Sequence, residues 1–348
     1  MCGIAGFSGD FDGPLLDKMQ TVIAHRGPDD SGILFISEKR IGLAHRRLSI
    51  IDLSSLGHQP MWDQTKTAVI VFNGEIYNYR ELKNILLREG YGFISESDTE
   101  VLLNLYLCHG EKMLSYINGI FAFAIWDIRN NTLFLARDGM GVKPLYYAET
   151  PKGFIFSSEL KAILKEPSID RTITPKVIQH HLSYLWSPAP DTMLKAVKKL
   201  RPGYAMTVKD GFIQKKWQFY DLPYSNNEVS VSVEEAVTQL QKKLREAVER
   251  QMVADVPVGA FLGGLDSSAV VTIAKEFINN GKLQCFTIAF KDDSYYKETG
   301  SGDLPYARKV AKHLGVDLHT VYVDSTMIEQ LERMIYHLDE PQADLAPL

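Results

Sequence analysis

FAFAIWDIRNNTLFLARD, residues Phe121–Asp138, decides the first half of the fold. Two apolar runs flank Asn130-Asn131, a turn pair, so the stretch predicts two strands joined as a hairpin. A second stretch, LYYAETPKGFIFSSE (Leu145–Glu159), repeats the pattern with its turn at Pro151–Gly153. Upstream, CGIAGF is short, apolar and glycine-bounded, which predicts a buried strand. TAVIVFNG (Thr67–Gly74) is a β-branched run ending at Asn-Gly. Between the strands lie helical patterns. Tyr79–Glu89 places Leu82, Ile85 and Leu86 on one face. Ser97-Asp98-Thr99-Glu100 precedes the apolar run Val101–Leu107, so Ser97 or Asp98 is expected to cap a helix.

The composition shifts near Tyr220, where DLPYSNNEVSVS is polar and turn-rich. Beyond it helices alternate with strands. The expected helices are Val233–Met252, Ser267–Asn279, Tyr306–Leu314 and Met327–His337. The expected strands are Val256–Leu262, Leu283–Phe290 and Leu318–Val323. Such alternation predicts a parallel sheet with right-handed crossovers.

With 348 residues the chain is long enough for two domains or three, and its 45% hydrophobic content excludes general disorder. A formal charge of -5 gives no global attraction for nucleic acid or anionic membrane, so neither is expected as a partner. No run approaches the roughly 18–20 apolar residues that span a bilayer, and the N-terminus lacks the pattern of a signal peptide. Three cysteines (Cys2, Cys108, Cys285) cannot build a disulfide framework and fit a reducing compartment. A cytoplasmic location is the expectation. Cys108 and Cys285 lie in apolar elements and are expected in the core. No histidine cluster has metal spacing, so no protein-held metal is expected.

Cys2 follows Met1 directly. Removal of Met1 would leave Cys2 with a free α-amine of pKa near 7.7–8.0, so one residue could supply nucleophile and base. The alternative is a small buried hydrophobe. The neighbours favour chemistry. Asn73-Gly74 ends a buried strand, where a side-chain amide and a backbone amide can form an oxyanion hole. Arg47 can hold a carboxylate through two parallel hydrogen bonds, while Glu75 and Asp98 can hold an ammonium. Together these suit a free α-amino acid whose side-chain carbonyl meets a thiolate; glutamine fits.

MCGIAGF, RGPDDSG, HRRLSIID, FNGEIYNY, SDTEV and GIFAFAIWD…LARDGMGVKPLYY occur in this order. They resemble the glutamine-hydrolysing domain of asparagine synthetase, a class II, N-terminal-nucleophile amidotransferase domain, over roughly Cys2–Pro202. The resemblance implies Cys2 as nucleophile and Asn73 and Gly74 as the oxyanion hole. It implies Arg47, Glu75 and Asp98 as glutamine ligands, with the backbone of Leu48, Ser49, Ile50 and Ile51 lining the pocket. It also implies an αββα sandwich of antiparallel sheets and, as is usual in the family, a homodimer.

The strand–glycine turn–helix around VPVGAFLGGLDSS (256–268) suits phosphate, because backbone amides and a helix N-terminus point one way. It resembles the SGGxDS loop of synthetases that release pyrophosphate. By that match Leu262, Gly263, Gly264, Asp266 and Ser267 would contact ATP, and Ile288 would face the adenine. The family reads Leu-Ser-Gly-Gly-Leu-Asp-Ser; here Leu262 runs directly into Gly263. The family also continues beyond DEPQADLAPL, so the second domain is expected to be partial.

The expected fold class is therefore α/β: an α+β amidotransferase domain over 1–205, a connecting segment over 206–232 and a truncated parallel-sheet ATP-pyrophosphatase domain over 233–348. The implied activity is glutamine-dependent asparagine synthesis, with glutamine, aspartate and ATP as substrates and Mg²⁺ accompanying ATP. Two alternatives stay open: a glutaminase that only supplies ammonia, and an amidotransferase for another carboxylate such as a sugar acid. A non-enzymatic relative is disfavoured by the complete glutamine pocket.

Overall fold

The computed structural model describes residues 1–224, 230–278, 281–291 and 302–341. The expectations that fall on 225–229, on Asn279 and on 342–348 lie outside them. The chain divides into two compact units. One is Met1–Pro223 together with the described residues from Ile335 onward, and the other is Tyr224–Met334.

The strands of the first unit are β1 (Gly3–Gly9), β2 (Asp30–Ile36), β3 (Ile41–Arg47), β4 (Met61–Trp62), β5 (Ala68–Ile76) and β6 (Gly119–Asp127). They continue with β7 (Thr132–Arg137), β8 (Tyr146–Thr150), β9 (Gly153–Ser157), β10 (Lys198–Lys199), β11 (Tyr204–Lys209) and β12 (Phe212–Gln218). Two six-stranded sheets result, ordered β10-β8-β9-β1-β3-β2 and β12-β11-β7-β6-β5-β4, and every strand pair in them is antiparallel. The expected hairpins are both present. Asp127 pairs with Thr132 across Asn130-Asn131, and Asn131 takes the left-handed φ of 53° that asparagine tolerates.

Alternation along the strands builds four layers. Ile4, Leu43, Val69, Val71, Ala124, Trp126 and Leu135 face one another between the sheets. Phe7, Ala44 and Ile155 turn to the outer side of the first sheet. There they meet Leu16 and Met19 of α1 (Gly13–Val22), with Ala162 and Ile163 of a short helix (Leu160–Ile163). Outside the second sheet lie the helices Tyr79–Arg88 and Asp98–His109. Tyr106 of the latter stacks on Phe134 of β7 at 5.6 Å. The layers are helix, sheet, sheet, helix.

Strands β11 and β12 occupy 204–218, across the boundary at which a connecting segment was expected to begin. FIQKKWQ looks polar because β12 is an edge strand exposed along most of its length, with Trp217 stacked on Phe134 and Ile213 packed against the core between the sheets.

In the second unit three strands, Gly259–Phe261, Gln284–Phe290 and Asp317–Val323, pair in parallel in chain order. The helices Val233–Gln251, Leu265–Ala274 and Asp303–Leu314 accompany them. Val248, Leu262, Val271, Cys285, Ala307 and Ala311 form its core. The first strand is shorter than the expected Val256–Leu262; Pro257 has no N–H to give a ladder. No helix among the described residues is long and apolar enough to cross a membrane.

Candidate active site

Cys2 lies one residue before β1, so it projects from the end of the first sheet. Its thiol sits against Leu48: Sγ donates to the Leu48 carbonyl at 3.6 Å and accepts from the Leu48 N–H at 3.4 Å. Burial pushes the thiol pKa up, with the Leu48 hydrogen bond and the terminal ammonium pulling the other way. The resting thiol is neutral and needs a base. The terminal amine in this structure is that of Met1, and burial lowers its pKa below the ordinary 8.0.

A small pocket opens beside the thiol. Its walls are Cys2, Arg47, Leu48, Ile50, Ile51, Gln59, Phe72, Glu75, Ser97, Asp98 and Thr99. Segments remote in sequence thus converge on one cavity: the start of β1, the end of β3 and its following loop, the end of β5 and the start of the helix Asp98–His109. Of the sequence-predicted residues, Ser49, Asn73 and Gly74 are not in its walls. Ser49 gives its N–H to Asp29 at 2.8 Å.

Asn73 is fully buried, and neither its Nδ2 nor its Oδ1 has a hydrogen-bond partner. It shares a face of β5 with Val69 and Val71, the face turned to the first sheet. An unpaired buried amide is costly, so its retention fits a donor held for a ligand. Gly74 pairs with Phe121, and a Cβ there would lie 2.3 Å from the Ile120 carbonyl oxygen. Only glycine permits that register.

Arg47 is buried and already occupied. Its Nη1 donates to Ser54 O at 2.9 Å and its Nη2 to Ile51 O at 3.3 Å and to the Asp52 carbonyl. A buried guanidinium needs acceptors, and the loop after β3 supplies them. Arg47 therefore shapes the Leu48–Ile51 wall, besides facing the pocket.

Asp98 is the first residue of its helix, and Ser97 is the cap, accepting from the Glu100 N–H at 3.2 Å. The Asp98 carboxylate accepts from the Ile76 N–H at 3.0 Å. Burial, reinforced by the neighbouring Glu75 charge, pushes its pKa up to about 7. Two carboxylates at one buried wall invite a cation.

Gln59 and His45 were not anticipated. Gln59 accepts from the Phe72 N–H at 2.7 Å and donates to Thr99 at 3.2 Å, tying β5 to the helix that carries Asp98. His45 is fully buried, its pKa pushed down to about 3 by burial, and its Nε2 donates to the Phe72 carbonyl at 3.0 Å. Both sit beside the recognised motifs, yet no spacing rule singles them out. Cys285 is buried as expected, whereas Cys108, in the last turn of its helix, is only half-buried.

In the second unit the glycine turn leads from a strand into the helix Leu265–Ala274, with Gly264 as its cap. Leu262 is buried and gives its N–H to Phe286 O at 2.8 Å. The Ser267 hydroxyl accepts from the Gly263 N–H at 2.9 Å and donates to Gly264 O at 3.0 Å, so this turn satisfies itself. A Cβ at Gly263 would lie 2.8 Å from Asp303 Oδ2. Asp266 is exposed, and Ile288 lies on an open sheet face, 52% exposed. Among the described residues, no group of three or more His, Cys, Asp or Glu side chains is placed to hold a metal ion.

Comparison with known proteins finds two family models along the chain. Residues 1–220 match the family model described as glutamine amidotransferase domain, and 239–348 match that described as asparagine synthase. Asparagine synthetase (glutamine-hydrolyzing) 1 of Bacillus subtilis is 36% identical over 96% of this chain and 51% of its own length. A Methanocaldococcus jannaschii protein assigned as an asparagine synthetase (glutamine-hydrolyzing) is 37% identical, over 99% of this chain and 69% of its own length. Amidase chry2 of Gibberella zeae is 32% identical over 99% of this chain and 54% of its own length. The chain thus spans about half the length of the Bacillus relative it matches. With its thiol pocket, its paired antiparallel sheets and these matches, the chain belongs to the glutamine-hydrolysing asparagine synthetase family, its first 220 residues being a glutamine amidotransferase domain.

Proposed function

We propose that the first unit hydrolyses glutamine at Cys2 and that the ammonia amidates an ATP-activated carboxylate, aspartate by analogy with the Bacillus relative's name. The convergence of Cys2, Arg47, Glu75 and Asp98 on one pocket carries this reading. Glu75 and Asp98 take the α-ammonium, and the Arg47 side of the pocket takes the α-carboxylate. Once Met1 is removed, the α-amine of Cys2 accepts the thiol proton. The thiolate attacks the carboxamide carbon, and the oxyanion accepts hydrogen bonds from Asn73 Nδ2 and the Gly74 N–H. The returned proton goes to the leaving nitrogen, ammonia departs and a thioester remains. Water then cleaves it, giving glutamate and the free thiol.

In the second unit ATP would meet the turn Leu262–Gly264 with Asp266 and Ser267, and Mg²⁺ would arrive on the nucleotide. ATP supplies the activation of the acceptor carboxylate, with pyrophosphate released. The residues fit a phosphate once the Ser267 hydroxyl releases the Gly263 N–H. That self-satisfied turn is the observation favouring a second reading, a glutaminase that supplies ammonia only. The amidase name of the Gibberella relative keeps another acceptor open. A homodimer in the cytoplasm, with the amidotransferase domain ending near Pro223, completes the reading.

The test is a coupled assay on protein whose N-terminus has been established by mass spectrometry. Glutamate, pyrophosphate and asparagine are followed together, with glutamine, ATP, Mg²⁺ and aspartate supplied. Stoichiometric formation of all three supports synthesis; glutamate alone assigns this chain to the second reading.

A further inference from the structure

A buried, charge-balanced chain of side chains in the first unit ends on the backbone of Cys2. Glu159 is its centre. Its Oε1 accepts from Arg26 Nη1 and from His25 Nε2, each at 2.9 Å, and its Oε2 pairs with Lys161 Nζ at 2.5 Å. Lys161 pairs in turn with Asp339 Oδ1 at 3.0 Å. Asp339 also accepts from the Leu160 N–H at 2.8 Å. At the other end Arg26 Nε donates to the Cys2 carbonyl at 2.8 Å. The side chains of Arg26, Glu159, Lys161 and Asp339 are each less than a tenth exposed.

Cys2 needs this help. Its neighbour Gly3 pairs with Arg46, but the ladder on the β9 side begins only at Ala5. Ser158 takes over at Ile4, giving its N–H to the Ile4 carbonyl at 2.8 Å and accepting the Ile4 N–H on Oγ at 3.0 Å. Glu159 follows at once and, through Arg26, holds Cys2, two residues before Ile4. Asp339 is fixed where it stands. Lys161 lies over the Tyr336 ring at 5.2 Å, and the rings of His25 and His337 meet at 4.4 Å.

We infer that Glu159 and Asp339 are positioning residues for the nucleophile: the clamp Asp339–Lys161–Glu159–Arg26 fixes the Cys2 carbonyl and thereby the direction in which Sγ points. The inference rests on Cys2 being the nucleophile. Two carboxylates and two cations cancel, so the clamp is rigid without adding net charge beside a thiolate.

The test uses the full chain with glutamine as substrate and three near-isosteric or charge-keeping variants: Glu159→Gln, Asp339→Asn and Arg26→Lys. Asparagine suits the left-handed φ of 60° at 339. We expect kcat for glutamine hydrolysis to fall by roughly 10- to 100-fold in Glu159→Gln, and less in Asp339→Asn, with KM nearly unchanged. The rate of Cys2 alkylation by iodoacetamide should change in parallel, and the double variant should be little worse than Glu159→Gln alone. Folded variants with wild-type kcat and alkylation rate would overturn the inference, as would losses that merely follow the folded fraction in a melting curve. If Glu159→Gln does not fold, Arg26→Lys decides, because it keeps the charge and loses the Nε bond. If the wild type hydrolyses no glutamine, the proposed function fails, and alkylation still judges the clamp.

Discussion

Asp98 carries a pH dependence with a definite sign. Its pKa stands near 7 against an ordinary 3.8 because burial disfavours the carboxylate. A raised carboxylate pKa favours the fold at low pH, and that advantage is lost as pH rises from about 4 through 7. Asp98→Asn should therefore melt higher than wild type at pH 8, by roughly 2–4 °C per kcal/mol recovered, and match it near pH 4. An ammonium beside Asp98 reverses the preference. Glutamine KM should fall as pH rises towards 7, by up to about tenfold per unit, and this slope should vanish in Asp98→Asn. A wild-type KM flat from pH 5.5 to 8 would refute this role. At this scale the sequence is most legible where a residue's neighbours in the chain are also its neighbours in space. Ser97 and Asp98 are such a case. Glu159 and Arg26 are not: 133 positions separate them, and a hydrogen bond across that gap leaves no local pattern.

Two elements hold the pocket in shape, and each has one position that cannot be altered cheaply. The helix carrying Asp98 begins at a serine cap, but Glu100 does not turn back to the cap as a capping box would. Its carboxylate reaches further, accepting the N–H groups of Ile94 and Ser95 and the Ser95 hydroxyl. Ser97→Ala should cost about 1 kcal/mol, with a lower melting temperature and a raised glutamine KM as the Asp98 turn frays. A loss of stability at constant KM would separate the cap from the site. In β5, Gly74→Ala drives a methyl onto the Ile120 carbonyl oxygen. We expect insoluble protein or, if folded, a kcat lowered by roughly 100- to 1,000-fold, the size of effect that loss of an oxyanion donor carries. Strands bounded by turn residues, such as β6 and β7, are readable in the sequence because their unbroken apolar runs report burial on both faces. Strand β12 is not, because an edge strand with only Ile213 and Trp217 packed inward has the composition of a loop.

Over the whole molecule the two units treat their sheets differently. In the first, both faces of each sheet are covered. In the second, Cys285, Thr287 and Ala289 of the middle strand face the core, while the alternate residues look outward. Phe261 pairs with Phe286 and Ile288 with Val321 on that outer face, and all four are exposed, Phe261 to 79%. Parallel sheets are ordinarily covered on both sides, and an apolar strip of this kind binds whatever apolar surface it meets. The alternation of helices and strands predicts the parallel order correctly, but periodicity cannot say whether each face finds a cover. The chain 1–348 should therefore bind an environment-sensitive dye such as ANS and self-associate with rising concentration. Phe286→Thr combined with Ile288→Thr should weaken both, because threonine keeps the strand and removes apolar area. Glutamine hydrolysis should not change, since neither residue belongs to the unit holding Cys2. Undiminished dye binding and association in that variant would show that this face is already covered in solution.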